Sequence, residues 1–163
     1  MDGDGRRPAA CPPPLSHVAL WDAVAAGYAE DTAPLLERYA ATALRLADLG
    51  VNVLDVACGP GTLALLAARD ARRVVAVDVS EAMLRGLARR AAAEDAGSVE
   101  AVLADGQVLP FEDGTFDGVF SMFGLMSRTR RPGSVRRTAC SDRGAGGPPC
   151  PRRPLPLGTR AEV

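Results

Sequence analysis

The sequence contains no lysine; all 19 of its basic residues are arginine. A Tyr-x-x-x-Lys pair, which a nicotinamide-dependent oxidoreductase would need, is therefore excluded. Histidine occurs once, at His17, beside a proline-rich N-terminal segment where solvent exposure is expected. General acid–base work falls most often to histidine, and no other side chain stands out as a general base. No residue is assigned a catalytic role. The four cysteines, Cys11, Cys58, Cys140 and Cys150, have no metal-ligand spacing, so no metal is expected. No stretch approaches the roughly 20 apolar residues that span a bilayer. Arg6 and Arg7 lead into Pro8-Ala9-Ala10-Cys11-Pro12 and not into the apolar run of a secretory signal. A cytoplasmic protein with no membrane partner is expected. The net charge of −1 gives no electrostatic case for a nucleic-acid partner.

What is present is ordinary for a globular chain: 47% apolar and 24% charged residues. A length of 163 residues argues for one domain. Such a domain hides roughly two thirds of its unfolded surface, enough for a real core. Three segments are expected: a flexible tail over 1–15, a folded domain over 16–127, and an Arg-, Pro- and Gly-rich disordered tail over 128–163.

Within the domain, a helix is predicted after Ser16, a plausible N-cap, through Trp21 to about Tyr28. A second starts near Thr32 with Pro34 in its first turn. It carries Leu35, Leu36, Tyr39, Ala43, Leu46 and Leu49 on helical spacing and ends at Gly50. Strands are predicted near 51–57, 73–79, 99–104 and 116–121, and helices near 61–69 and 81–95, the second capped by Ser80. The strands read as near-continuous apolar runs, as strands buried on both faces do. This alternation predicts an α/β fold with a parallel, doubly wound sheet, whose ligands bind beyond the carboxyl ends of the strands.

One run carries the most chemistry: Val53-Leu54-Asp55-Val56-Ala57-Cys58-Gly59-Pro60-Gly61-Thr62. An apolar strand holding an acid breaks into a glycine turn, and a helix follows. The glycines bring the backbone close to a ligand. The helix start offers free N–H groups to a negative group, and Asp55 can hold a cationic or hydroxyl-bearing one. A ligand with both a carboxylate and an ammonium fits. Gly59, Gly61 and Ala64 also spell G-x-G-x-x-A, which nicotinamide-binding domains use; Asp55 favours the ammonium-bearing ligand, because a pyrophosphate needs no acid. Asp78, at the end of the second strand, can accept from both hydroxyls of a ribose.

Three further segments agree in order and spacing: Val74 to Leu84, Ala104 to Phe111, and Gly114 to Ser121. On these motifs the chain resembles the class I S-adenosyl-L-methionine-dependent methyltransferases. It is most similar to the group of ubiquinone and menaquinone biosynthesis C-methyltransferases (the type 11 methyltransferase domain). The resemblance covers roughly residues 17 to 127. It implies a Rossmann-like sheet under an N-terminal helical lid, S-adenosyl-L-methionine as cofactor, and methyl transfer to a small-molecule acceptor with release of S-adenosylhomocysteine.

The resemblance also implies roles. The turn residues Ala57, Cys58, Gly59 and Gly61, with Asp55, would meet the methionine part; Cys58 otherwise reads as a small residue that fits. Asp78 would hold the ribose, and Val79 and Met83 would flank the adenine, although Met83 also lies on the apolar face with Leu84 and Leu87. Asp105, Gly106 and Gln107 would meet the adenine edge. Ser121, Met122 and Phe123 would face the reacting methyl. Trp21 and Tyr28 belong to the lid, and Tyr28 is the better candidate for an aromatic face beside a sulfonium.

After about Ser127 the composition changes. Residues 1–127 hold 10 Arg and 18 acidic residues; residues 128–163 hold 9 Arg and 2 acidic residues. The family continues with a fifth strand and an antiparallel hairpin, neither of which is legible here. The charge break predicts a shifted reading frame or otherwise aberrant end from about residue 128. The fourth strand would then leave an open apolar edge through which two copies could dimerise. A truncated domain that binds the cofactor without turnover is the rival function.

Overall fold

The computed structural model describes residues 17–47 and 50–124. The tails expected over 1–15 and 128–163 lie outside those residues, as do the Ser16 cap, Leu49 and three of the four cysteines.

The first helical stretch is longer than its sequence suggests. Helix α1 (Val18–Gly27) does not stop at Tyr28. A π-helical turn, Tyr28–Thr32, carries the chain directly into helix α2 (Ala33–Leu46). Pro34 sits in the first turn of α2, directly after this widened turn. The expected break is thus a widened turn, a device frequent at functional sites, and Tyr28 opens it. Helix α2 also ends earlier than expected: Ala47 is already extended. Gly50, at φ +70°, is the left-handed entry to the sheet.

Four strands follow the βαβ rhythm: β1 (Asn52–Val56), β2 (Arg73–Asp78), β3 (Val99–Leu103) and β4 (Gly118–Phe120). Helix α3 (Thr62–Ala67) links β1 to β2, and α4 (Glu81–Ala93) links β2 to β3. All pairings are parallel and the order is β3-β2-β1-β4. The chain winds outward from β1 to β3 and then returns to β1's other side. That reversal leaves a crevice beyond the carboxyl ends of β1 and β4.

Period-2 side chains divide the core between the two faces of the sheet. Val53, Val74 and Ala76 face Leu63, Ala64 and Ala67 of α3 and Leu84 and Leu87 of α4. Leu54, Val56, Val75 and Val77 face Phe116 on the other side. Phe111 packs edge-on against Phe116 at 5.1 Å. Each fully buried Val, Leu or Phe contributes roughly 1.5–3 kcal/mol relative to exposure. Burial on both faces holds for β1 and β2 only. β3 exposes Glu100, Ala101 and Leu103, and β4 is half-buried, because each is an edge among the described residues.

Asp117 fixes the far end of the sheet. Its Oδ2 accepts the N–H groups of Val51 (3.0 Å) and Asn52 (2.8 Å). The acid of the fourth motif is therefore structural, at the end away from the crevice. Among the described residues no helix is long and apolar enough to cross a membrane.

Candidate cofactor site

β1 and β2 end side by side, with Asp55 opposite Ala76 and Val56 opposite Val77. The turn after β1 therefore meets the end of β2. The Cys58 N–H donates to Val77 O at 3.0 Å, and the Gly59 N–H donates to Asp78 Oδ2 at 2.8 Å. Three alternate residues of the turn are left-handed: Ala57 (φ 59°), Gly59 (φ 56°) and Gly61 (φ 86°). Ala57 carries a cost of roughly 1–2 kcal/mol that glycine would not. The Gly61 N–H donates back to Cys58 O at 3.0 Å, and Gly61 O accepts the Leu65 N–H at 2.9 Å as α3 begins. Arg90 of α4 reaches over and donates through Nη1 to Pro60 O at 3.0 Å.

Asp55 lies under this turn on the α3 side of the sheet and is only 1% exposed. Neither carboxyl oxygen has a hydrogen-bond partner among the described residues. Burial pushes its pKa up to about 7; the Ala64 backbone N–H, outside bonding geometry, pulls it partly back, and the Asp78 charge adds to the rise. An unpaired buried polar group is costly, so this acid calls for a donor that the described residues do not supply. Burial also raises the Cys58 thiol, with Asp55 and Asp78 adding to it, so Cys58 is a neutral packing group.

Asp78 is already half used. Oδ1 accepts the Ser80 N–H at 2.9 Å while Oδ2 holds Gly59. An ionised carboxylate has about four acceptor sites, so roughly two stay free for a ligand. Val79 is exposed beside it, and Met83 is buried in α4. The Ala104 N–H donates to Asp78 O at 3.0 Å and brings the third motif alongside. In that loop Asp105 is exposed, Gly106 is buried, and Asp105 Oδ1 accepts the Gln107 N–H at 2.8 Å.

The lid meets the turn through Tyr28. Its ring carbon Cε1 would lie 3.8 Å from a Cβ built on Gly59. Burial raises the Tyr28 hydroxyl pKa, and the Asp78 charge adds to that. Trp21 packs edge-on against Tyr28 at 6.2 Å. On the opposite wall, β4 pairs Phe120 with Asp55, which sets Ser121 at the crevice. Ser121 Oγ is buried with no partner among the described residues. A Cβ on Gly124 would lie 2.3 Å from Ala57 Cβ, so this loop folds onto the turn. Met122 packs on the α3-side core. Phe123 is exposed and meets Tyr39 edge-on at 6.3 Å.

The residues singled out from sequence thus gather at one end of the sheet. Two contributors were not legible. Asp22 of α1 accepts the Ser80 hydroxyl at 2.6 Å, and nothing marks it among the acids of the chain. Arg90 is one of several arginines on α4, and only the fold shows that it reaches Pro60.

Residues 53–139, more than half of the chain, match the family described as methyltransferase domain. The chain belongs to this family of class I S-adenosyl-L-methionine-dependent methyltransferases. The domain is 39% identical over 113 residues to the demethylmenaquinone methyltransferase of Clavibacter sepedonicus, covering 66% of this chain and 45% of that protein. It is 40% identical over 91 residues to the ubiquinone/menaquinone biosynthesis C-methyltransferase of Ectopseudomonas oleovorans, covering 53% and 54%. The methyltransferase domain also superposes on the DhpI–SAH complex with a TM-score of 0.57 at 25% identity, covering 68% of this chain and 53% of that one. The chain spans about half the length of these two curated relatives.

Proposed function

We propose that this methyltransferase domain binds S-adenosyl-L-methionine in the crevice beyond β1, β2 and β4 and serves methyl transfer to a small-molecule acceptor. The observation that carries the reading is Asp55: a carboxyl 1% exposed, with both oxygens unpartnered, directly beneath a turn with three left-handed residues. The cofactor's methionine part presents the ammonium that such an acid lacks. Its carboxylate suits the backbone N–H groups of the turn and the start of α3. Asp78, with its spare acceptor sites, would take the ribose hydroxyls. Val79 and Met83 would border the adenine, with Asp105, Gly106 and Gln107 at its edge. When bound, the cofactor supplies an activated methyl on a sulfonium.

The chain's own part is alignment and exclusion of water. Tyr28 and Trp21 would close the lid side, and Ser121 would face the acceptor side. Well-oriented reactants can gain on the order of 7–11 kcal/mol from such positioning. The names of the relatives point to an acceptor of the demethylmenaquinone kind. The exposed Phe123 and Tyr39, edge-on beside the end of β4, support it by offering a surface for a flat ring. Dimerisation through the β4 edge belongs to the same proposal, because β4 is the outer strand among the described residues.

A second reading is cofactor binding without turnover. Calorimetric titration of S-adenosylhomocysteine, with NADH in parallel, tests the first step. Binding of S-adenosylhomocysteine and not NADH, lost in Asp55→Ala, supports the cofactor reading. A folded chain that binds neither overturns it. Single-turnover assay with a demethylated naphthoquinol then separates transfer from binding alone.

A further inference from the structure

The lid is tied to the cofactor crevice by one carboxylate. Asp22, in the second turn of α1, has Oδ1 2.6 Å from Ser80 Oγ and 3.2 Å from the Ala82 N. Ser80 is wholly buried between the two acids. Its hydroxyl donates to Asp22 and accepts the Met83 N–H at 3.2 Å. Its own N–H donates to Asp78 Oδ1 at 2.9 Å. Asp78 in turn holds the Gly59 N–H at 2.8 Å. A continuous path of hydrogen bonds therefore runs from α1 through Ser80 and Asp78 to the glycine turn. The neighbouring lid residues Trp21 and Tyr28 stack edge-on, and Tyr28 covers that same turn.

We propose that Asp22 is a positioning residue: it latches the lid helix onto Ser80, so that lid docking and the orientation of the Asp78 carboxylate become one event. The latch has a directional logic. Ser80 Oγ has one proton to give, and its short bond to Asp22 fixes the rotor so that its lone pair stays on Met83 N–H. With the start of α4 fixed, the Ser80 N–H stays aimed at Asp78. The Ser80 hydroxyl and the Ala82 N–H hold the Asp22 carboxyl below the usual carboxylate range, so it is an ionised acceptor at neutral pH. Without the latch, α1 keeps its other packing on α4 but loses the polar registration that Asp22 gives it at Ser80 and Ala82.

The inference rests on the proposed cofactor reading for its effect on binding, and its effect on the lid can be read without ligand. The chain has one tryptophan, Trp21, adjacent to Asp22. Its emission reports the lid, and S-adenosylhomocysteine titration reports the crevice. Asp22→Ala is expected to red-shift Trp21 emission in the unliganded full chain. It is also expected to weaken S-adenosylhomocysteine about fivefold or more, as loss of a charge-assisted bond implies. Asp22→Asn keeps an acceptor oxygen and is expected to restore most of both signals. In a double-mutant cycle, the losses of Asp22→Ala and Ser80→Ala should be less than additive, because both break the same bond. Should Asp22→Ala lose its far-UV dichroism, the Asn variant and the Ser80→Ala single variant carry the test.

Unchanged emission and affinity in Asp22→Ala, additive losses in the cycle, or an Asn variant as impaired as Ala would each overturn the latch. If the wild-type chain ignores S-adenosylhomocysteine while Asp22→Ala still shifts Trp21 emission, the latch is supported and the cofactor reading fails instead.

Discussion

Asp78 Oδ2 accepts the backbone N–H of Gly59 at 2.8 Å, joining the end of β2 to the turn that follows β1. The acid that would hold a ribose is thus also the acid that shapes the glycine turn. Removing it should therefore damage both stability and binding. Asp78→Ala leaves two N–H groups, of Gly59 and Ser80, without their acceptor. A buried donor left unpaired costs about 1–3 kcal/mol, so with two donors affected urea unfolding should show a loss of at least that size. S-adenosylhomocysteine binding should fall below detection. Asp78→Asn keeps one acceptor oxygen and should recover part of the stability.

The two glycines of the turn differ in what surrounds them. A Cβ on Gly61 would lie 2.2 Å from Leu87 Cδ1, and the backbone there is left-handed at φ +86°. Gly61→Ala should cost about 2–4 kcal/mol, combining the left-handed penalty with overpacking. A Cβ on Gly59 would meet Tyr28 Cε1 alone, at an ordinary 3.8 Å. Gly59→Ala should cost only the backbone term, about 1–2 kcal/mol. Thermal unfolding of the two variants should rank them in that order, and the reverse order would contradict this packing.

Much of this arrangement was legible beforehand, for a physical reason. The run from Val53 to Thr62 encodes strand, turn and helix through local rules: apolar residues, glycines at positive φ, and a resuming apolar period. Ser80 was legible as a cap because capping is local, and its Oγ does accept the Met83 N–H. The break expected between Tyr28 and Thr32 is a π turn, which has no signature in composition and simply continues the helix. The exposure of β3 was missed because burial of a strand depends on its neighbours. Val99 to Leu103 reads as apolar as β1 does, yet lies at an edge. Asp22 and Arg90 were invisible because their partners, Ser80 and the Pro60 carbonyl, are 58 and 30 residues away.

Cys58 should be inert in the folded chain. Its thiol is buried and its pKa is raised well above 9.0, first by burial and then by Asp55 and Asp78. The thiolate, which is the reactive form, is therefore scarce at neutral pH. Alkylation with iodoacetamide followed by peptide mass mapping should leave Cys58 unmodified under native conditions and modify it in urea. Rapid native labelling of Cys58 would contradict its burial in the turn.

Asp55 should give the domain an unusual pH dependence. Its folded pKa is raised from the ordinary 3.8 to about 7. Between those values the unfolded chain has released the proton that the folded chain still holds. The unfolded state then binds fewer protons, so stability falls as pH rises from about 4 to about 7 and levels off above. The full shift corresponds to a loss on the order of 4 kcal/mol. Asp22 acts with the opposite sign, because its folded pKa is lowered below 3.8; its contribution is lost only as pH falls through that lower range. The two windows do not overlap. Urea midpoints for the wild-type chain should therefore drop between pH 4 and pH 7, and Asp55→Asn should flatten that slope. Ligand should reverse part of it. An ammonium beside Asp55 favours the carboxylate, so binding releases a proton, and S-adenosylhomocysteine affinity should climb as pH approaches 7. A slope that survives in Asp55→Asn would place the titrating group elsewhere.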